Sequence, residues 1–121
     1  METSVLIVED EVAIVTLLRY NLEREGFKVY STGDGEEAVT MVEEYKPDVI
    51  VLDWMLPSLS GIEVCRRLKA DIETAAIPIL MLTAKGQAKD RETAEAGGVT
   101  KFMTKPFANQ ELLATVRALG D

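Results

Sequence analysis

Residues 47–57 read Pro47-Asp48-Val49-Ile50-Val51-Leu52-Asp53-Trp54-Met55-Leu56-Pro57. The four residues from Val49 to Leu52 are apolar without interruption, so no alternation separates a wet face from a dry one. A run this short, bounded by Pro47 and Asp53, predicts a strand covered on both sides. Strands of that kind belong to parallel sheets with helices on each face, which places Asp53 where such a strand ends.

Working outward, Val5-Leu6-Ile7-Val8 and Ile77 to Leu82 are runs of the same type, whereas Phe27-Lys28-Val29-Tyr30 and Phe102-Met103 read as weaker, more exposed strands. Helical spacings lie between them. Ile14, Leu17, Leu18 and Leu22 form an inner stripe on a first helix that ends at Gly26, with Val12 and Val15 off the stripe and exposed. Gly33-Asp34-Gly35 reads as a turn, and Glu36 to Tyr45 as a helix with Ala38, Val39 and Val42 inward, ended by Lys46-Pro47-Asp48. A loop from Pro57 to Gly61 leads into a helix from Ile62 to Lys69 with Ile62, Cys65 and Leu68 on one side, which makes Cys65 core filler. Lys89 to Ala96 carries only alanines on its apolar side and stops at Gly97-Gly98; Asn109 is expected to cap a last helix burying Leu112, Leu113, Val116 and Leu119. The sum is a (βα)5 alternation, an α/β doubly wound sheet of five mostly parallel strands in a single domain over residues 1–121.

Composition narrows the chemistry. A chain of 121 residues with 47% hydrophobic and 28% charged residues has the usage of a packed globular domain. Thirteen basic residues against twenty-one acidic ones give a net charge of −8, which repels nucleic-acid phosphates and anionic membranes, so direct binding to either is not expected. With no histidine and one cysteine, Cys65, an internal disulfide, His-based triads and the usual zinc sets are excluded, leaving oxygen donors for any metal. Met1-Glu2-Thr3-Ser4 lacks the pattern of a signal peptide, and no long apolar run follows, so the cytoplasm is the expected compartment.

Ligands of open α/β sheets bind beyond the carboxyl ends of the strands. Those ends hold Glu9-Asp10 after the first strand, Asp53 after the third, Thr83 after the fourth and Lys105-Pro106 after the fifth. Three carboxylates in one crevice repel one another, and Lys105 balances only one of them; a single divalent cation cancels the remaining two negative charges. All-oxygen, partly hydrated coordination suits Mg²⁺. Taken singly, Asp10 is explained as a helix cap, Asp53 as a loop cap and Lys105 as a solvated surface charge. Capping explains neither the lysine nor the clustering.

In order and spacing, Val5-Leu6-Ile7-Val8-Glu9-Asp10-Glu11, Asp48 to Asp53 with Trp54-Met55-Leu56-Pro57 and Gly61, Met81-Leu82-Thr83-Ala84 and Thr104-Lys105-Pro106-Phe107 resemble the receiver domain of bacterial two-component response regulators. The resemblance covers essentially the whole chain and implies a flavodoxin-like sheet in the order 2-1-3-4-5. It implies that Asp53 is a phosphoacceptor, fed by a sensor histidine kinase, a histidine phosphotransfer protein or a small phosphodonor. It further implies that Asp10 and Asp53 hold Mg²⁺ directly, Glu9 through water and Met55 through its backbone carbonyl, while Lys105 pairs with a phosphoryl oxygen. Thr83 takes the place of the hydroxyl that turns inward on phosphorylation and draws the following loop with it. Phe102 stands where the family has a switching aromatic, although a buried strand also accounts for it. Lys105-Pro106 is expected to be cis, and exposed valines on the first helix to meet the kinase.

The implied function is a phosphorylation-dependent switch acting on a downstream protein target, as a monomer or a phosphorylation-dependent dimer, without turnover of external substrates. Chain termination at Gly120-Asp121 gives the expectation of signalling through protein contacts; the alternative is the receiver module of a DNA-binding transcriptional regulator whose effector domain lies outside this chain. In that branch two acidic residues usually precede the switch aromatic, where this chain has Thr100 and Lys101, which puts the branch's dimer face in doubt. A flavin carrier is disfavoured because Glu9-Asp10-Glu11 replaces a phosphate-binding loop, and a phosphatase because the chain offers no lid. A receiver-like module that no longer accepts phosphate is opposed by the full set Glu9, Asp10, Asp53, Thr83 and Lys105.

Overall fold

Strands and helices alternate along the chain: β1 (Ser4–Val8), α1 (Val12–Arg24), β2 (Lys28–Thr32), α2 (Gly35–Tyr45), β3 (Val49–Asp53), α3 (Gly61–Ala70), β4 (Ile79–Thr83), α4 (Ala88–Ala96), β5 (Lys101–Thr104) and α5 (Asn109–Gly120). The computed structural model describes residues 2–84 and 88–120, the side chains of 88–90 excepted. All strand pairings are parallel, in the order β2-β1-β3-β4-β5, with Val8 opposite Leu52, Asp53 opposite Leu82 and Thr83 opposite Thr104.

The unbroken apolar runs have the cause expected of them. Along β1, Val5 and Ile7 join a core with Leu18 and Leu22 of α1 and Leu112 and Val116 of α5. Leu6 and Val8 join the opposite core with Ala38 and Val42 of α2 and with Val64, Cys65 and Leu68 of α3. The same two-residue alternation divides Val49 and Val51 from Ile50 and Leu52 on β3. Each such side chain, fully buried, contributes roughly 1.5–3 kcal/mol, and β3, in the middle of the sheet, has all five residues buried.

Helix ends follow local chemistry. Gly26 adopts φ +93° just past α1, where a side chain is strained, and the Phe27 N–H closes back on the Leu22 carbonyl. Asp34 caps α2 by accepting from the Glu37 N–H, and Ser60 caps α3 by accepting from the Glu63 N–H. The Lys105-Pro106 bond is cis, as the resemblance implied.

Four expectations change in detail. Leu17, placed on the inner stripe, is 47% exposed, and Val15, placed off it, packs against the core. Residues 12, 14, 15, 17, 18 and 22 are all apolar, so the spacing admits two stripes; packing against α5 and Phe27 selects the one through Ile14, Val15, Leu18 and Leu22. Asn109 is the first residue of α5 rather than its cap, since the Leu112 N–H bonds to the Ala108 carbonyl. β4 begins at Ile79 rather than Ile77, because Pro78 has no N–H to give and only accepts, from Ile50.

Cys65 is fully buried, its Sγ donating to the Gly97 carbonyl, and burial pushes its thiol above the ordinary value despite Lys69 and Arg66 nearby. A thiol reagent at neutral pH should therefore modify Cys65 only after denaturant is added; immediate stoichiometric labelling of the folded domain would contradict this packing.

Candidate functional site

The phase of each strand decides what meets at the carboxyl edge. Continuing the alternation past the strand ends keeps Glu9 in step with Val5 and Ile7, Asp53 with Val49 and Val51, and Lys105 with Met103, all on the α1/α5 side. The Lys105 ammonium does bridge the two acids, 2.9 Å from Glu9 Oε1 and 3.0 Å from Asp53 Oδ1. Glu9 and Asp53 are only 3% and 5% exposed, and the second Glu9 oxygen accepts from the Glu11 N–H at 3.1 Å. Asp10, on the exposed turn after β1, completes a triangle in which one carboxylate oxygen from each of Glu9, Asp10 and Asp53 lies within 4.8 Å of the others.

Capping does not account for these acids. The N-cap of α1 is Glu11, with no side-chain capping bond, and α1 has no acid in its first turn; the cap of α3 is Ser60. Burial raises the Glu9 carboxyl above its ordinary value, and the negative charge of Asp53 adds to this, against the Lys105 ammonium and the Glu11 N–H, which lower it. For Lys105, burial works downward, but the hydrogen bonds to Glu9 and Asp53 and their charges outweigh it and hold the ammonium above the usual lysine value. Lys105 is thus a fixed positive charge among more negative charge than it can match.

The other residues singled out from the sequence fall as follows. Thr83 is buried at the end of β4 and in phase with Ile79 and Met81, on the α2–α4 side, and its carbonyl accepts from the Lys105 N–H at 2.7 Å. The loop that Thr83 was expected to draw inward includes residues 85–87, outside the described residues. Phe102 is partly buried on the same side, edge-on to Trp54 at 6.5 Å, with the Arg91 guanidinium 5.3 Å above its ring. Met55 is 63% exposed. Val12 is exposed at the start of α1.

Contacts that sequence reasoning missed lie in the β2–α2 turn. Gly33 lies against Asp10, so close that a Cβ there would stand 3.2 Å from Asp10 Cα, and Asp34 accepts a hydrogen bond from Ser58 in the β3–α3 loop. The only sequence signal was the Gly-Asp-Gly triplet, which reads as a turn wherever it occurs.

The chain is 48% identical over 119 residues to the phosphate regulon transcriptional regulatory protein PhoB of Rhizobium meliloti (strain 1021), covering 98% of this chain and 52% of the relative. To the alkaline phosphatase synthesis transcriptional regulatory protein PhoP of Bacillus subtilis (strain 168) it is 50% identical, covering 98% and 49%. The chain thus spans about half the length of these relatives. Among solved structures, the receiver domain of the sensor histidine kinase PA1611 from Pseudomonas aeruginosa PAO1, which has magnesium coordinated in its active site cleft, superimposes with a TM-score of 0.90 at 31% identity, covering 100% of both chains. The pattern of the response regulator receiver domain matches residues 5–117. With the parallel order β2-β1-β3-β4-β5 and the acidic edge already in place, the chain belongs to the receiver domain family of two-component response regulators.

Proposed function

We propose that this domain is a Mg²⁺-dependent phosphoacceptor in which Asp53 carries the phosphoryl group. The observation that carries the reading is the Lys105 bridge between Glu9 and Asp53 beside Asp10, because it assembles a nucleophilic carboxylate, a fixed cation and an oxygen-only pocket two charges short of neutrality. The donors fit magnesium: Asp10 and Asp53 directly, the Met55 carbonyl, and Glu9 through water. When bound, the ion supplies positive charge and an anchor for phosphoryl oxygens, as magnesium does in phosphoryl transfer generally.

Asp53 attacks through one carboxylate oxygen. The new bond is Asp53 O–P; the bond that breaks is P–N of a donor phosphohistidine, or P–O of a small acyl phosphate, and the leaving group keeps the electron pair. The Lys105 ammonium, already 3.0 Å from Asp53 Oδ1, meets the negative charge spreading over the phosphoryl oxygens. Thr83 and Phe102, in phase on the α2–α4 side, then pass the change to the surface formed by α4, β5 and α5.

The donor is a histidine kinase or phosphotransfer protein docking beside the crevice. There Ile14, Leu17, Pro106 and Phe107 line an apolar groove whose polar end is Glu11 and Lys105, and Val12 is exposed nearby. The exposure of Leu17, unexpected for a core residue, has its use here. We place the domain in the cytoplasm; no described helix is long and apolar enough to cross a membrane. Self-assisted phosphorylation, rather than turnover of outside substrates, is its chemistry. For output, the two transcriptional regulatory relatives favour a receiver module controlling a DNA-binding effector, and Thr100 and Lys101, both exposed, predict a dimer face unlike the usual acidic one of that branch.

Trp54, next to Asp53, reports on the ion. Its fluorescence should change saturably with MgCl₂ in the millimolar range, about that of weak oxygen sites, and Asp10→Asn should weaken the response about tenfold. A flat titration of the wild type to tens of millimolar would contradict the reading.

A further inference from the structure

The β2–α2 turn carries none of the residues assigned to phosphoryl transfer, yet it touches both loops that hold the proposed ion. On one side the Glu9 N–H bonds to the Thr32 carbonyl at 3.0 Å, and a Cβ on Gly33 would meet Asp10 Cα at 3.2 Å and Asp10 Cβ at 3.4 Å. On the other side Asp34 Oδ1 accepts from the Ser58 hydroxyl, and a methyl group on Gly35 would overlap the Leu59 carbonyl. The loop containing Ser58 and Leu59 is the one that runs from Asp53 through Met55 into α3. Its far end is tied down too: the Gly61 N–H bonds to the Trp54 carbonyl at 3.0 Å, and Gly61 lies against the Asp53 carbonyl.

We infer that the β2–α2 turn gauges the width of the cation site, Gly33 setting the position of Asp10 and the Asp34–Ser58 bond setting the loop that carries Met55. The inference rests on the metal-dependent reading above. Helix capping explains only half of Asp34: Oδ2 accepts from the Glu37 N–H at 3.0 Å, while Oδ1 is turned to Ser58, which belongs to no part of α2. These two bonds, the one to Ser58 first, hold the Asp34 carboxyl below its usual value, so it stays ionised and accepting at neutral pH.

Width matters because Mg²⁺ demands near-ideal octahedral geometry at about 2.0–2.1 Å, whereas Ca²⁺ accepts irregular shells at about 2.3–2.6 Å. Displacing one ligand by a few tenths of an ångström therefore penalises magnesium more than calcium. Gly33, Asp34 and Ser58 are accordingly positioning residues for an ion of magnesium's size.

Ser58→Ala is the clean test, since Ser58 is exposed and the α2 cap survives. Trp54 fluorescence is titrated with MgCl₂ and separately with CaCl₂ in wild type, Ser58→Ala and Gly33→Ala, and thermal midpoints are recorded without either ion. The expected result is a rise of about three- to tenfold in the Mg²⁺ dissociation constant for both variants, a change below about twofold for Ca²⁺, and a Ser58→Ala midpoint equal to wild type. Mg²⁺ affinity of Ser58→Ala within twofold of wild type, or equal losses for both ions, would overturn the inference. A wild type that binds no magnesium defeats the phosphoacceptor reading instead, so the two failures are told apart.

Discussion

Asp53→Asn should lose phosphoryl incorporation from acetyl phosphate and Mg²⁺ completely while remaining folded. The amide has the shape of the carboxylate but neither its charge nor a nucleophilic oxygen, and the neighbouring acids offer no substitute. Glu9 is 3% exposed and its two oxygens are engaged by Lys105 and the Glu11 N–H, while Asp10 lies on the turn beyond β1. Folding does not suffer, because the substitution removes one of three mutually repelling charges and leaves the Lys105–Glu9 pair at 2.9 Å intact. The thermal midpoint without metal should equal or exceed that of wild type. Intact-mass measurement after incubation with the phosphodonor checks the first point; incorporation at the wild-type level would remove Asp53 from the chemistry.

Lys105→Met has the second large effect, and it acts on folding as well as on transfer. Without the ammonium, Glu9 and Asp53 remain buried beside Asp10 with no counter-charge. Stripping the partner from a fully enclosed pair costs about 3–5 kcal/mol; because Lys105 is partly solvated, about 1–2 kcal/mol is expected here, with phosphoryl transfer falling at least about a hundredfold. The pH dependence has a definite sign. The Glu9 carboxyl is already above its unfolded value of 4.5, so the folded form holds its proton more tightly and stability falls as pH rises from 4.5 through the raised value. Lys105 opposes that loss, and its own contribution persists up to alkaline pH because its ammonium lies above 10.5 and is released only as pH passes that raised value. In Lys105→Met the Glu9 carboxyl moves further up. Denaturant melts should then show a gap between variant and wild type that is wide at pH 7 and narrows on acidification below about 4, where Glu9 is protonated in both the folded and the unfolded state. A gap independent of pH would mean that Lys105 acts through packing alone.

Much of this was legible in the residues themselves. The unbroken run Val49 to Leu52 signals a strand between two cores, and β3 sits in the middle of the sheet between two layers of helices. Glu9, Asp53 and Lys105 could be gathered into one site because strand phase carries them to the same side of the same edge, while Asp10 joins them from the turn after β1. Ambiguity entered where chemistry was degenerate. On α1 too many apolar positions satisfied a helical stripe, and only contact with α5 and Phe27 separates Val15 from Leu17. The partners of the β2–α2 turn stayed hidden for a different reason: Gly33 meets Asp10 and Asp34 meets Ser58 across 23 and 24 residues of chain, contacts that exist only once β1, β2 and β3 are side by side. The aromatic contact of Trp54 with Phe102 is of the same kind.

Covalent attachment of one phosphoryl group to Asp53 can be trapped chemically. Wild-type protein is incubated with acetyl phosphate and Mg²⁺, the acyl phosphate is reduced with borohydride, and peptides are sequenced by mass spectrometry. Asp53 should be converted to homoserine in a magnesium-dependent manner, with Glu9 and Asp10 unchanged. Conversion at another carboxylate, or none at any residue while the donor is consumed, would contradict it.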